Sequence, residues 1–356
     1  MIKYHVQCGK WGYTPNPIAW HPQQTLLASG STLDYKKRHD VTIWNADGQL
    51  QTKLKCQSYV EELQWVLNGT MLAVRASTIQ LWNHHGRLIH QIPGSRMAWP
   101  GSRMAWNPVY PQVISYIAKQ NFWQLWDLAR ATSHGLGQNL APESFKDNLV
   151  WSADGECLVA AWNQPTLNTI ELRIWQRNGQ LITQTSIKPR QISRVIEIVW
   201  HPSSRMFAIR MQFTVLLIDR AGHMLDQWEL DSDQREWEHG RCFGWSPDGA
   251  LLAQANQTKL QIRNLNGQSI RIELDAQVMA FAWHPSGEFL AIAGWNNQIQ
   301  CWDRYGKHLA TVITDVAEVG ARMIMIPLIL EWDVSGSYLA ASLRGCTIHL
   351  WRYSSM

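Results

Sequence analysis

Thirteen histidines and six cysteines are the side chains of this 356-residue chain best suited to hold a metal or to act in nucleophilic and acid–base chemistry. A metal site needs three or four such donors at a spacing that lets them converge. The densest group, HHGRLIH with His84, His85 and His90, surrounds a glycine turn and has no HExxH pattern or carboxylate cluster beside it. His21, His201 and His284 recur in WHP triplets, and a repeated position points to a structural role. Cys8, Cys56, Cys157, Cys242, Cys301 and Cys346 stand singly with no CxxC pair. They supply neither a zinc knuckle nor a disulfide framework and read as reduced core residues. GxSxG elbows and phosphate-binding P-loops are absent. The sequence therefore calls for no catalytic residue, no metal and no cofactor.

The chain is 46% hydrophobic and 17% charged, and its 32 basic and 28 acidic residues leave a formal charge of +4. That balance excludes a disordered chain and a general coat for duplex nucleic acid. No stretch approaches the roughly 18 apolar residues of a membrane span. The beginning, MIKYHVQCGKW, lacks the basic and apolar regions of a secretory signal, so a cytoplasmic location without membrane insertion is expected.

The elements that position these residues are announced by 21 tryptophans. One series precedes turns, as in AWHP, VWSADG, GWSPDG and EWDVSG, at Trp20, Trp65, Trp106, Trp151, Trp200, Trp245, Trp283 and Trp332. Neighbours are 38 to 49 residues apart, a spacing that marks repeated all-β units. A second series closes each unit, at Trp44, Trp82, Trp126, Trp175, Ile218, Arg263, Trp302 and Trp351. Eight residues after six of the opening tryptophans stands an alanine (Ala28, Ala73, Ala208, Ala253, Ala291, Ala340), where close packing leaves room for a methyl group. After most closing positions comes a glycine turn, as at Gly48 and Gly306, which predicts an antiparallel hairpin. Each unit thus reads as four short strands.

With its closing LWN at Trp82, LWD at Trp126 and CWD at Trp302, and its WHPSG and WSPDG turns, the chain resembles the WD-repeat family of β-propellers along its whole length. The resemblance implies an all-β fold: one eight-bladed β-propeller spanning residues 1–356, with seven blades plus an irregular segment as the alternative. It also implies that an N-terminal strand completes the last blade, and Ile2 to Cys8 is an alternating segment suited to pair with TIHLW. The family's buried Asp network is missing. Its positions hold Arg38, Ala76, Gln120, Thr169, Gln212, Gln257, Asn296 and Gly345, so stability is expected to rest on apolar and aromatic packing.

Three segments read as insertions: the first copy of the doubled GSRMAW at 94–99, the stretch 128–148, and 314–327 with its MIMIP run, a candidate docking element. Function is expected from loops between second and third strands. Arg75, Lys119 and Arg344 stand seven residues before their closing tryptophans and Trp295 shares that offset, while Lys37 and Arg210 lie in neighbouring loops. The expected arrangement is a solvated basic rim with Trp162 and Trp295 as aromatic anchors for a protein partner bearing an acidic surface. The expected role is a non-catalytic scaffold or adaptor subunit of a larger complex. The alternative is an RNA or single-stranded nucleic-acid binding subunit that stacks bases on Trp162 and Trp295.

Overall fold

A computed structural model describes residues 2–7, 17–30, 39–56, 58, 60–76, 78–92, 105–117, 122–136, 148–164, 166–191, 193–230, 242–313, 327–343 and 347–353. Eight four-stranded sheets account for every described strand, and each neighbouring pair of strands in them is antiparallel where its register is defined. Blades 1 to 7 follow chain order, beginning at Ile18–Trp20, Glu62–Val66, Ala105–Trp106, Leu149–Trp151, Val195–Trp200, Phe243–Trp245 and Val278–Trp283. Blade 8 combines Pro327–Trp332, Tyr338–Leu343 and Thr347–Arg352 with Ile2–Gln7, which pairs from Ile2↔Arg352 to Gln7↔Thr347. The expected clasp is therefore present, and the seven-blade alternative falls. Among the described residues the helical content is one 3-10 turn, Leu67–Gly69.

The described residues fall into two compact units, Met1–Gln91 with Trp237–Met356, and Ile92–Glu236. The first contains blades 1, 2, 6, 7 and 8, and the second contains blades 3, 4 and 5. Within the second, the faces of blades 4 and 5 bury Val159, Ile170, Leu172, Phe207, Ile209 and Leu216. In the first, blades 1 and 2 bury Val41, Ile43, Leu63, Leu72 and Val74 against one another. Burial of such side chains, at about 1.5–3 kcal/mol each, is the main favourable contribution to each unit.

The six repeated alanines are all buried, none more than 1% exposed, as close packing requires. Blades 3 and 4 depart from the rule. They place Ile114 and Val159 at the same offset, also fully buried, so a methyl is sufficient there but not obligatory. The segment after Trp126 is also not wholly an insertion, since Thr132–Gly135 is the fourth strand of blade 3. The first GSRMAW copy and residues 314–326 lie outside the described residues.

Candidate interaction surface

The repeated side chains prove to be latches between blades. Among the described residues, six opening tryptophans donate their indole N–H to the carbonyl just before the opening tryptophan of the preceding blade. The pairs are Trp20 to Glu331, Trp65 to Ala19, Trp151 to Ala105, Trp200 to Val150, Trp283 to Gly244 and Trp332 to Ala282, at 3.1 to 3.3 Å. The next residue along often reaches forward to the turn of the following blade. His21 donates from Nε2 to the Gly69 carbonyl at 3.0 Å, Asn107 from Nδ2 to Gly155 at 2.7 Å, and His284 from Nε2 to Gly336 at 3.1 Å.

The histidine tautomer follows from the other ring nitrogen. Nδ1 of His21 accepts the amides of Gln23 and Gln24, and Nδ1 of His284 accepts that of Ser286, so both rings are neutral with the proton on Nε2. Burial lowers the pKa of both, outweighing the opposing bond to the Gly69 or Gly336 carbonyl. His21 and His284 are thus committed to structure, and among the described residues no group of three or more His, Cys, Asp or Glu is placed to hold a metal.

A third set of latches uses arginines two residues after the closing position. Arg220 bonds Asp154 of the preceding blade at 2.8 Å, Arg304 bonds Asp248 at 2.9 Å, and Arg177 lies over the Tyr110 ring at 4.3 Å. The closing tryptophans replace the family's Asp network by simpler means. Trp44 and Trp126 donate to Ser29 and Ser115, while Trp82 and Trp302 donate to Gln80 and Gln300 two residues earlier. Packing is therefore not the sole substitute for that network. The recurring Trp-His-Pro turn was the sequence signal for the latches, but their direction needed coordinates.

Of the seven candidate contact residues, Lys37, Lys119 and Arg344 lie outside the described residues. Arg75 is not a solvated rim charge: its side chain is 12% exposed and is paired with both Glu61 and Glu62. Arg210 is 8% exposed, and its Nε has no hydrogen-bond partner. Trp162 is no surface anchor, being 4% exposed in the core of blades 3 and 4 with the Arg173 guanidinium 5.4 Å from its ring centre. Trp295 is 37% exposed at the end of the second strand of blade 7, its amide held by the Gln277 carbonyl. Alternation along a strand explains the misplacements, because one step in register turns a side chain from solvent into the space between blades.

A basic segment that the repeat analysis passed over is better displayed. Between the fourth strand of blade 4 (Leu181–Ile187) and the first strand of blade 5, Lys188, Arg190 and Arg194 are exposed. Asn163 grips this loop twice, donating from Nδ2 to the Ser193 carbonyl at 2.6 Å and accepting the Val195 amide at Oδ1 at 2.8 Å. The Gln212 amide bonds the Arg194 carbonyl at 3.1 Å, and the Phe213 amide reaches Ser193 Oγ.

Comparison with solved structures decides what the sheets amount to. The C-terminal WD40 domain of Sif2 aligns over 100% of both chains at TM-score 0.72 and 13% identity. The chain folds as an eight-bladed β-propeller. Sqt1 of Chaetomium thermophilum is similar to this propeller over 96% of each chain at TM-score 0.74 and 12% identity, and the Dos1 propeller over 98% of this chain and 94% of that one at 0.72 and 13%. Residues 243–335, which hold blades 6 and 7 and the first strand of blade 8, match the family model described as anaphase-promoting complex subunit 4 WD40 domain. No curated protein sequence matches significantly.

Proposed function

We propose that this WD-repeat propeller is a non-catalytic scaffold, a cytoplasmic subunit that folds as one domain and binds protein partners through its loops. The observation that carries the reading is a solved complex of the same fold. Chaetomium thermophilum Sqt1, similar over 95% of this chain at TM-score 0.71, was determined bound to the N-terminus of the ribosomal protein L10. The latches support it, since the repeated histidines, tryptophans and arginines, the residues with most chemical potential, join blade to blade. Four cysteines among the described residues are thiols, three of them buried, which suits a reducing compartment. No helix among the described residues is long and apolar enough to cross a membrane. The nucleic-acid reading loses one of its two stacking platforms with the burial of Trp162.

Affinity purification of the full chain, with mass spectrometry before and after nuclease treatment, tests the proposal. A stoichiometric protein partner that survives nuclease is expected. Recovery of nucleic acid alone, with retention on heparin falling steeply as salt rises, overturns it.

A further inference from the structure

We propose that the fourth strand of blade 6, Ser269–Glu273, is a self-association edge that pairs antiparallel with the same strand of a second copy of this chain. Such pairing is a property of the chain alone, whatever other proteins it holds.

Each blade ends in a fourth strand with no neighbour beyond it in its sheet. The unpaired N–H and C=O groups along such an edge attract another strand unless the edge is disrupted. In blades 1, 4, 5 and 7 it is disrupted, because the ladder between third and fourth strands slips at Trp44, Trp175, Ile218 and Trp302. In blade 6 the ladder runs unbroken from Lys259↔Glu273 to Arg263↔Ser269. Its ends fix which groups are free to pair. The Asn264 amide bonds the Gln268 carbonyl at 2.9 Å, and the Leu274 amide bonds the Thr258 carbonyl at 2.7 Å. Alternate residues of an antiparallel pair exchange both bonds, so Ile270 and Ile272 bond inward while Ser269, Arg271 and Glu273 turn their backbone groups outward.

Charge selects the occupant. Among the described fourth strands, Ser269–Glu273 is the only one that carries an acid together with a lysine or arginine. Arg271 and Glu273 are both exposed and share one face of the strand. About a two-fold axis through Ile272, outward-bonding residues meet outward-bonding residues, and Arg271 of each copy lies opposite Glu273 of the other. Two hydrogen-bonded residue pairs and two opposite-charge contacts then form together. The register centred on Arg271 instead sets two arginines opposite each other and is disfavoured. Because Arg271 is exposed, any contact it makes within its own chain is screened by water and exchanged at little cost. Apolar surface flanks the edge. Leu265, 46% exposed, lies in the turn that leads into the strand, and Tyr305, 74% exposed, precedes Gly306, which lies against Ile270.

Sedimentation velocity of the full chain, from roughly 1 to roughly 300 μM, tests the edge, and a reversible dimer is expected within that range. Arg271→Glu is expected to weaken the dimer at least about tenfold, since both cross-copy contacts become repulsive. Adding Glu273→Arg restores opposite charges across the pair and is expected to return the affinity to within about threefold of the unaltered chain. Arg271→Pro removes an outward N–H and no bond of the inner ladder, so it is expected to abolish the dimer with the unfolding midpoint nearly unchanged. A chain that stays monomeric throughout the range, a dimer indifferent to Arg271→Glu, or a charge swap that fails to restore it overturns the proposal. The charge variants decide the matter even where the proline variant fails to fold.

Discussion

Two glycines in equivalent turns allow the cost of one latch to be separated from the cost of a backbone angle. Gly287 and Gly336 each lie four residues after an opening tryptophan, at φ of 74° and 71°, in the left-handed region. Alanine at either position carries the same conformational penalty, about 1–2 kcal/mol. Their surroundings differ. A Cβ on Gly287 meets nothing nearer than Asp248 at 3.6 Å, an ordinary contact, whereas one on Gly336 runs into the His284 ring. That ring cannot swing aside, because it stacks on Phe289 at 4.2 Å and packs edge-on to Trp332 at 4.9 Å. Gly336→Ala must therefore also break the bond from His284 Nε2 to the Gly336 carbonyl and strand both groups, at about 1–3 kcal/mol more. The expected totals are about 2–5 kcal/mol for Gly336→Ala against about 1–2 for Gly287→Ala. Equilibrium unfolding in urea at neutral pH measures both. In a His284→Ala background the cost of Gly336→Ala is expected to drop to that of Gly287→Ala. Equal costs in the unaltered background would refute the latch.

The histidine latches also set a pH dependence: because burial depresses the pKa of His21 and His284, the unfolded chain binds more protons. Stability is full above the ordinary histidine value of about 6.5 and declines as pH falls toward the lowered folded values, and His21→Gln with His284→Gln is expected to flatten that decline in denaturant midpoints. Trp65→Phe removes the indole donor to the Ala19 carbonyl and is expected to cost about 1–3 kcal/mol in chemical unfolding, with no loss if the bond is immaterial. Deleting residues 1–7 strips Thr347–Arg352 of its ladder partner and is expected to lower the melting temperature clearly, whereas removing 354–356 is expected to leave it unchanged.

Much of the fold was legible because a propeller repeats one local solution. The opening tryptophans, buried alanines and glycine turns are short-range signals, and strand after strand obeys them: Gly48, Gly86, Gly179, Gly222, Gly267 and Gly306 all adopt positive φ. Even the terminal clasp followed from an alternating segment near one end and a three-strand unit at the other. The contact residues were less legible. Arg75 was chosen for type and offset, Arg210 and Trp162 for type and loop position, and all three are buried or nearly so. The exposed Lys188, Arg190 and Arg194 belong to a connection that follows no repeat, so periodicity passed over them.

The sequence by itself determined the number of blades, the antiparallel order within them and the family resemblance. Hydrophobic alternation and turn chemistry act over a few residues and are written directly in the chain. Only the tertiary structure decided that His284 spans 52 residues to the Gly336 carbonyl, that Arg304 spans 56 to Asp248, and that Arg210 lies enclosed with an unsatisfied Nε. Burial and the partner of a polar group depend on which strands lie opposite, a property of chain segments distant in sequence that no local pattern encodes.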